Sequence, residues 1–134
     1  MTVEVKSKYK ILLVENDIYI RTYLVNFLKD NSTVFEADNG EAGFEMALKQ
    51  MPDLIVSDVI LPLGNGFELC SKIKNNEKLF HIPIIMLTGK PDEQDEITCI
   101  RLGADDYIVI PFNPNLLKEK ILSLIQALLV KICW

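Results

Sequence analysis

Five short apolar runs punctuate the chain, at residues 9–14, 33–35, 54–56, 82–87 and 107–110. Each is followed by a stretch whose apolar residues recur at helical spacing. The run Ile11 to Val14 is apolar at successive positions, which suits a strand buried on both faces. It ends abruptly in Glu15, Asn16 and Asp17.

The intervening stretches predict amphipathic helices. Ile20, Leu24, Phe27 and Leu28 fall at i, i+4, i+7 and i+8, one helical face. Ala42, Met46 and Ala47 repeat the pattern weakly, with Asp38 as the expected cap and Glu41 three residues on. Gly66, Leu69, Cys70 and Ile73 form a third face. Ile97, Ile100 and Ala104 mark a fourth, opened by Pro91 and Asp92. In the fifth, Asn113 is the cap and Pro114 the first helical residue, followed by Leu117, Ile121, Leu124, Ile125 and Leu128.

Alternating buried strands and helices predict a parallel sheet covered on both sides. The expected class is α/β: a doubly wound (βα)5 flavodoxin-like three-layer sandwich, strand order 2-1-3-4-5, with two helices on one face and three on the other. The length of 134 residues argues for one domain, 1–134, with a core at about 9–127 and a tail at 128–134 that is a linker or a chain end.

Composition narrows the class of partner. The net charge of −5 argues against non-specific binding to nucleic acid or anionic membranes, which reward clustered cations. No apolar run approaches the ~20 residues that span a bilayer, and MTVEVKSKYK has no signal-peptide pattern. The three cysteines, Cys70, Cys99 and Cys133, are scattered and odd in number. They are expected to be reduced thiols of a cytoplasmic protein, two of them in or near the core.

Ligands of open parallel sheets bind beyond the carboxyl ends of the strands, where the strand order reverses. Glu15 and Asn16 follow the first strand, Ser57 and Asp58 end the third, and Thr88 and Gly89 follow the fourth. In the 2-1-3-4-5 order, Glu15, Asn16 and Asp58 converge. Clustered carboxylates repel one another and resist desolvation. A hard cation such as Mg²⁺ reconciles them, because it needs few protein oxygens and keeps several waters. The competing reading leaves Glu15 to Asp17 as helix-capping residues and Asp58 as an ordinary loop aspartate.

Four motifs, in order and on successive elements, carry a family resemblance: "ILLVEND", "PDLIVSDVILPLGNGFELC", "HIPIIMLTGK" and "GADDYIVIPFNP". Together they resemble the receiver domains of two-component response regulators, over about residues 9 to 127. The last two look most like receivers of hybrid sensor kinases. The resemblance implies a phospho-accepting domain rather than an enzyme. Asp58 would take a phosphoryl group from the histidine of a kinase or its phosphotransfer domain. Glu15, Asn16, Asp58 and the backbone carbonyl of Ile60 would hold Mg²⁺. Thr88 would be the switch hydroxyl and Tyr107 the switch aromatic. A cis Ile110–Pro111 bond is also implied.

Two positions depart from the family pattern: Asn16 stands in place of an aspartate, and Ile110 in place of a lysine. An amide keeps an oxygen but loses a charge, so Mg²⁺ binding is expected to be weak. Isoleucine offers a bound phosphoryl group no hydrogen bond. The alternative function is therefore a degenerate receiver, a protein-interaction module independent of phosphorylation. A flavodoxin-like cofactor binder is disfavoured because Glu15 and Asp17 would repel phosphate. An aspartyl phosphatase is disfavoured because Ile60 stands where a second carboxylate is wanted.

The remaining candidates are plainer. His81, the only histidine, is expected at the surface. Leu116, Leu122, Leu129, Val130, Ile132 and Trp134 lie partly off the core stripe of the last helix. They suggest either a linker or a contact face for a homodimer or neighbouring domain, with Lys118, Glu119 and Lys120 at its rim. The receiver resemblance implies that such a face would include the fourth helix and fifth strand.

Overall fold

The computed structural model describes residues 9–89, 93–109 and 113–133. The elements alternate without exception: β1 (Tyr9–Val14), α1 (Ile18–Leu28), β2 (Ser32–Ala37), α2 (Gly40–Gln50), β3 (Leu54–Asp58), α3 (Gly66–Lys74), β4 (Ile84–Thr88), α4 (Glu93–Arg101), β5 (Asp106–Val109) and α5 (Pro114–Cys133). The strands form one parallel sheet in the order β2-β1-β3-β4-β5. The expected fold and strand order are those observed.

Strand alternation divides the core in two. Leu12, Val14, Ile55, Ile84 and Met86 face α2, α3 and α4, meeting Ala47, Leu69, Cys70, Ile73 and Cys99. Ile11, Leu13, Leu54, Val56, Ile85 and Leu87 face α1 and α5, meeting Leu24, Leu28, Leu117, Ile121 and Ile125. Three helices thus cover one face and two the other. Burial of both faces explains why the central strands read as unbroken apolar runs.

Three details differ from the periodicity. The cap of α2 is Asn39, not Asp38: Asn39 Oδ1 accepts from Ala42 N at 2.8 Å, and Asp38 Oδ1 instead accepts from Asn39 Nδ2. The helix starts one residue later because the Gly40 and Glu41 amides already have acceptors in the loop after β3. The core contact of α4 is Cys99, whereas Ile100 is 67% exposed. The helix is rotated on the sheet so that the smaller side chain faces inward. Finally, β4 begins at Ile84 rather than at Ile82 and runs through Thr88.

The expected cap of α5 stands: Asn113 Oδ1 accepts from Asn115 N at the start of the helix. The cap of α3 is Asn65, accepting from Glu68 N at 2.9 Å. Cys70 and Cys99 are buried, and burial pushes both thiols up to about 11, which disfavours the thiolate form. His81 is exposed beside Phe80. Leu116 is exposed, whereas Lys120, expected as a rim charge of a contact face, is engaged within the domain, its Nζ donating to Asp106 Oδ2 at 2.8 Å. Pro91, Asp92, Ile110, Pro111 and Trp134, with the expected cis bond, lie outside the described residues. So do the side chains of Leu128, Leu129, Val130, Ile132 and Cys133.

Candidate functional site

The register of β1 on β3 pairs Val14 with Ser57. The next residues, Glu15 and Asp58, therefore leave the sheet side by side. Glu15 is only 2% exposed. Its backbone is pinned from two sides: its N–H donates to Ala37 O at 3.0 Å, and its carbonyl accepts from Arg21 Nη1 at 2.8 Å. Arg21 Nε in turn donates to Glu36 Oε1 at 3.1 Å. No motif singles out Arg21. Its only signal is a cation one helical turn after the acidic strand end.

The Glu15 carboxyl has two unequal oxygens. Oε2 accepts from Asp17 N at 3.0 Å, while Oε1 is buried without a donor. The Asp58 carboxyl lies alongside, close enough to share a hydrogen bond when Glu15 is protonated. Burial, followed by the Asp58 charge and that shared bond, pushes Glu15 up to about 7, against the opposing Asp17 N–H. Burial likewise raises Asp58, opposed by the bond from Glu15 and by the backbone N–H groups of Val59 and Ile60. Two carboxyls held together out of water invite either a proton or a cation.

The flanking residues divide into those that converge and those that do not. Asn16 is exposed, and its Nδ2 donates to Asp38 O at 3.3 Å. Asp17 is no third carboxylate of the pocket. Its Oδ1 caps α1, accepting from Tyr19 N at 2.8 Å and Ile20 N at 3.2 Å. The capping reading is therefore right for Asp17 and insufficient for Glu15. The Ile60 side chain is exposed, while its N–H faces Asp58.

Thr88 ends β4, buried, one residue beyond the Asp58↔Leu87 pair. Tyr107 is on β5, opposite Met86. Its hydroxyl is buried near the Thr88 hydroxyl, without a well-formed hydrogen bond. Burial raises its pKa, and the nearby Cys99 adds to this, while Thr88 opposes it.

Glycine also shapes the site. A Cβ on Gly66 would overlap the Asp58 carbonyl, and Gly66 N donates to Val59 O at 2.8 Å, closing the loop.

Among the described residues, no group of three or more His, Cys, Asp or Glu side chains gathers as a metal cage. The donor set that does form suits a hard cation: two desolvated carboxyls side by side, one with an oxygen that no donor satisfies. The residues fit Mg²⁺.

Comparison with known proteins agrees with this geometry. The response regulator receiver domain family matches residues 11–122. The chain is 38% identical over 121 residues to histidine kinase P4 of Formosa agariphila, covering 90% of this chain and 9% of the kinase. It is 38% identical over 117 residues to the transcriptional regulatory protein AfsQ1 of Streptomyces coelicolor, covering 87% of this chain and 51% of the regulator. It thus spans about half or less of the length of these relatives. Its fold is similar to that of the receiver domain of sensor histidine kinase PA1611 from Pseudomonas aeruginosa, solved with a magnesium ion in its active-site cleft. The TM-score is 0.83 at 27% identity, covering 90% of this chain and 99% of that one. Carboxyls paired at a strand switch point, on a chain matched along most of its length, have one consistent reading: this chain belongs to the response regulator receiver domains of two-component systems.

Proposed function

We propose that Asp58 accepts a phosphoryl group from a histidine of a partner kinase or its phosphotransfer domain. A carboxylate oxygen of Asp58 attacks phosphorus, the P–N bond to the histidine breaks, and the imidazole recovers a proton. An aspartyl phosphate results. The observation that carries this reading is the Glu15–Asp58 pair, with its buried Glu15 Oε1 lacking a donor.

Mg²⁺ at this site would offset the charge that otherwise opposes attack on a phosphoryl group. Glu15, Asn16, Asp58 and the Ile60 carbonyl are the residues to hold it. The nearby Ile60 N–H favours the ionised Asp58 carboxylate, and Val59 N, which donates to Leu87 O at 2.9 Å, ties the chain after Asp58 to β4. Thr88, one residue past the strand pair of Asp58, is the hydroxyl that would answer the new charge. Tyr107, already turned inward beside Thr88, would report that movement to the surface of β5.

A second reading rests on Ile110, which replaces a cation expected next to the phosphoryl group. In it, the domain binds partners without being phosphorylated. Intact mass after incubation with acetyl phosphate and Mg²⁺ separates the two. A phosphoryl adduct on the parent protein and none on Asp58→Asn supports the first. No adduct on either, with Mg²⁺ bound, supports the second.

A further inference from the structure

The amino end of α2 is held by the loop that follows Asp58. Gly40 N donates to Pro62 O at 3.2 Å and Glu41 N donates to Leu63 O at 2.9 Å. Ala42 N is taken by its own cap, Asn39. The first N–H groups of a helix lack intrahelical acceptors, and here two of them are satisfied by carbonyls from a different strand–helix unit.

The loop is bent to make this contact. Leu63 has φ +48° and Gly64 φ +85°, two consecutive residues in the left-handed region. Leucine rarely adopts that conformation. The Leu63 side chain is 65% exposed, so its burial does not hold the turn in place. On the helix side, a Cβ at Gly40 would overlap the Gly64 carbonyl and stand 2.9 Å from Leu63 O. The contact therefore needs glycine at position 40, independently of the hydrogen bonds.

Ile60 lies midway between the two anchors, two residues after Asp58 and two before Pro62. Its N–H faces the Asp58 carboxylate. Further along, Gly66 N donates to Val59 O at 2.8 Å, so the loop is tied at both ends and braced in the middle by α2.

We propose that Gly40 is a positioning residue for the Asp58 site: by admitting the 62–64 backbone against the start of α2, it holds Ile60 in register with the Asp58 carboxylate. This rests on the reading of Asp58 as phosphoacceptor for its consequence in phosphorylation, but not for the clamp itself.

Three substitutions test it. Gly40→Ala fills the contact. Glu41→Pro deletes the N–H that Leu63 accepts, in a first helical turn that tolerates proline, and serves if Gly40→Ala does not fold. Ala47→Gly weakens α2 at a buried position away from the loop and controls for general loss of stability. Amide exchange is measured on metal-free protein, and the acetyl phosphate reaction is followed as a function of Mg²⁺ concentration.

The expected result is exchange at least about tenfold faster at Ile60 and Gly66 in the two clamp variants. Half-maximal phosphorylation should also require several-fold more Mg²⁺, with the maximal rate less affected. Ala47→Gly should leave both near the parent values. Parent-like protection at Ile60 and Gly66 in a folded clamp variant overturns the proposal, as does equal loss in Ala47→Gly. If the parent protein takes no phosphoryl group, the phosphoacceptor reading fails and the exchange data alone decide the clamp.

Discussion

Glu15 and Asp58 stand next to each other at the ends of β1 and β3, and Glu15 Oε1 has no donor there. Neighbouring strands force the two carboxyls together, and burial denies them water. The pair is therefore costly when both members are ionised and no cation is bound. That cost is what a metal or a proton relieves.

The first prediction is a pH dependence. Glu15 keeps its proton in the folded chain up to about pH 7 but would lose it near 4.5 when unfolded. Between those values the folded state binds more protons, so stability falls as pH rises. The expected loss in metal-free protein is on the order of 2 kcal/mol across that window. On the proposed function, Mg²⁺ would bind the ionised form in the folded state alone, so its stabilising effect should grow over the same range. Urea midpoints from pH 5 to 8, with EDTA or excess Mg²⁺, check both trends. A flat EDTA profile would show that Glu15 is not the strained group.

Asn16→Asp returns a carboxylate to the edge of the site, at the expense of one long hydrogen bond to Asp38 O. Mg²⁺ should bind roughly tenfold more tightly, about 1.4 kcal/mol. Asp58→Asn should weaken Mg²⁺ and lower the Glu15 pKa, since it removes the neighbouring charge. Calorimetric titration measures the affinities, and carboxyl carbon shifts follow Glu15. Unchanged affinity in Asn16→Asp would remove Asn16 from the ligand set.

Tyr107→Phe removes a buried hydroxyl that lacks a well-formed partner. Losing a satisfied buried hydrogen bond costs about 1 kcal/mol, whereas losing an unsatisfied group is neutral or favourable. Stability should stay level or rise by up to about 1 kcal/mol. Denaturant midpoints decide. A clear loss would mean that the hydroxyl bonds Thr88 firmly in solution.

The shifted cap of α2 gives the fourth prediction. Asn39→Ala should cost about 1 kcal/mol, a usual value for a lost N-cap. Asp38→Ala should cost less than about half of that, because its side chain only accepts from Asn39. Equal losses would favour Asp38 as the cap after all.

Much of the molecule is legible in the chain alone. Periodicity is a local property, so the run Ile11 to Val14, the face Gly66-Leu69-Cys70-Ile73 and the capping residues Asp17 and Asn113 translate directly into elements. Alternation of these elements restricts the sheet to few topologies, and that places Glu15, Asp58 and Thr88 at one end. Other features depend on partners distant in sequence. Asn39 rather than Asp38 caps α2 because Pro62 and Leu63 supply acceptors to the next two amides. Ile100 is exposed because the placement of α4 on the sheet turns Cys99 inward. Arg21 holds Glu15 only because α1 folds back over β1 and β2. The proton affinity of Glu15 belongs to its surroundings: the same carboxyl is ordinary in the chain and displaced once β3 carries Asp58 beside it out of water.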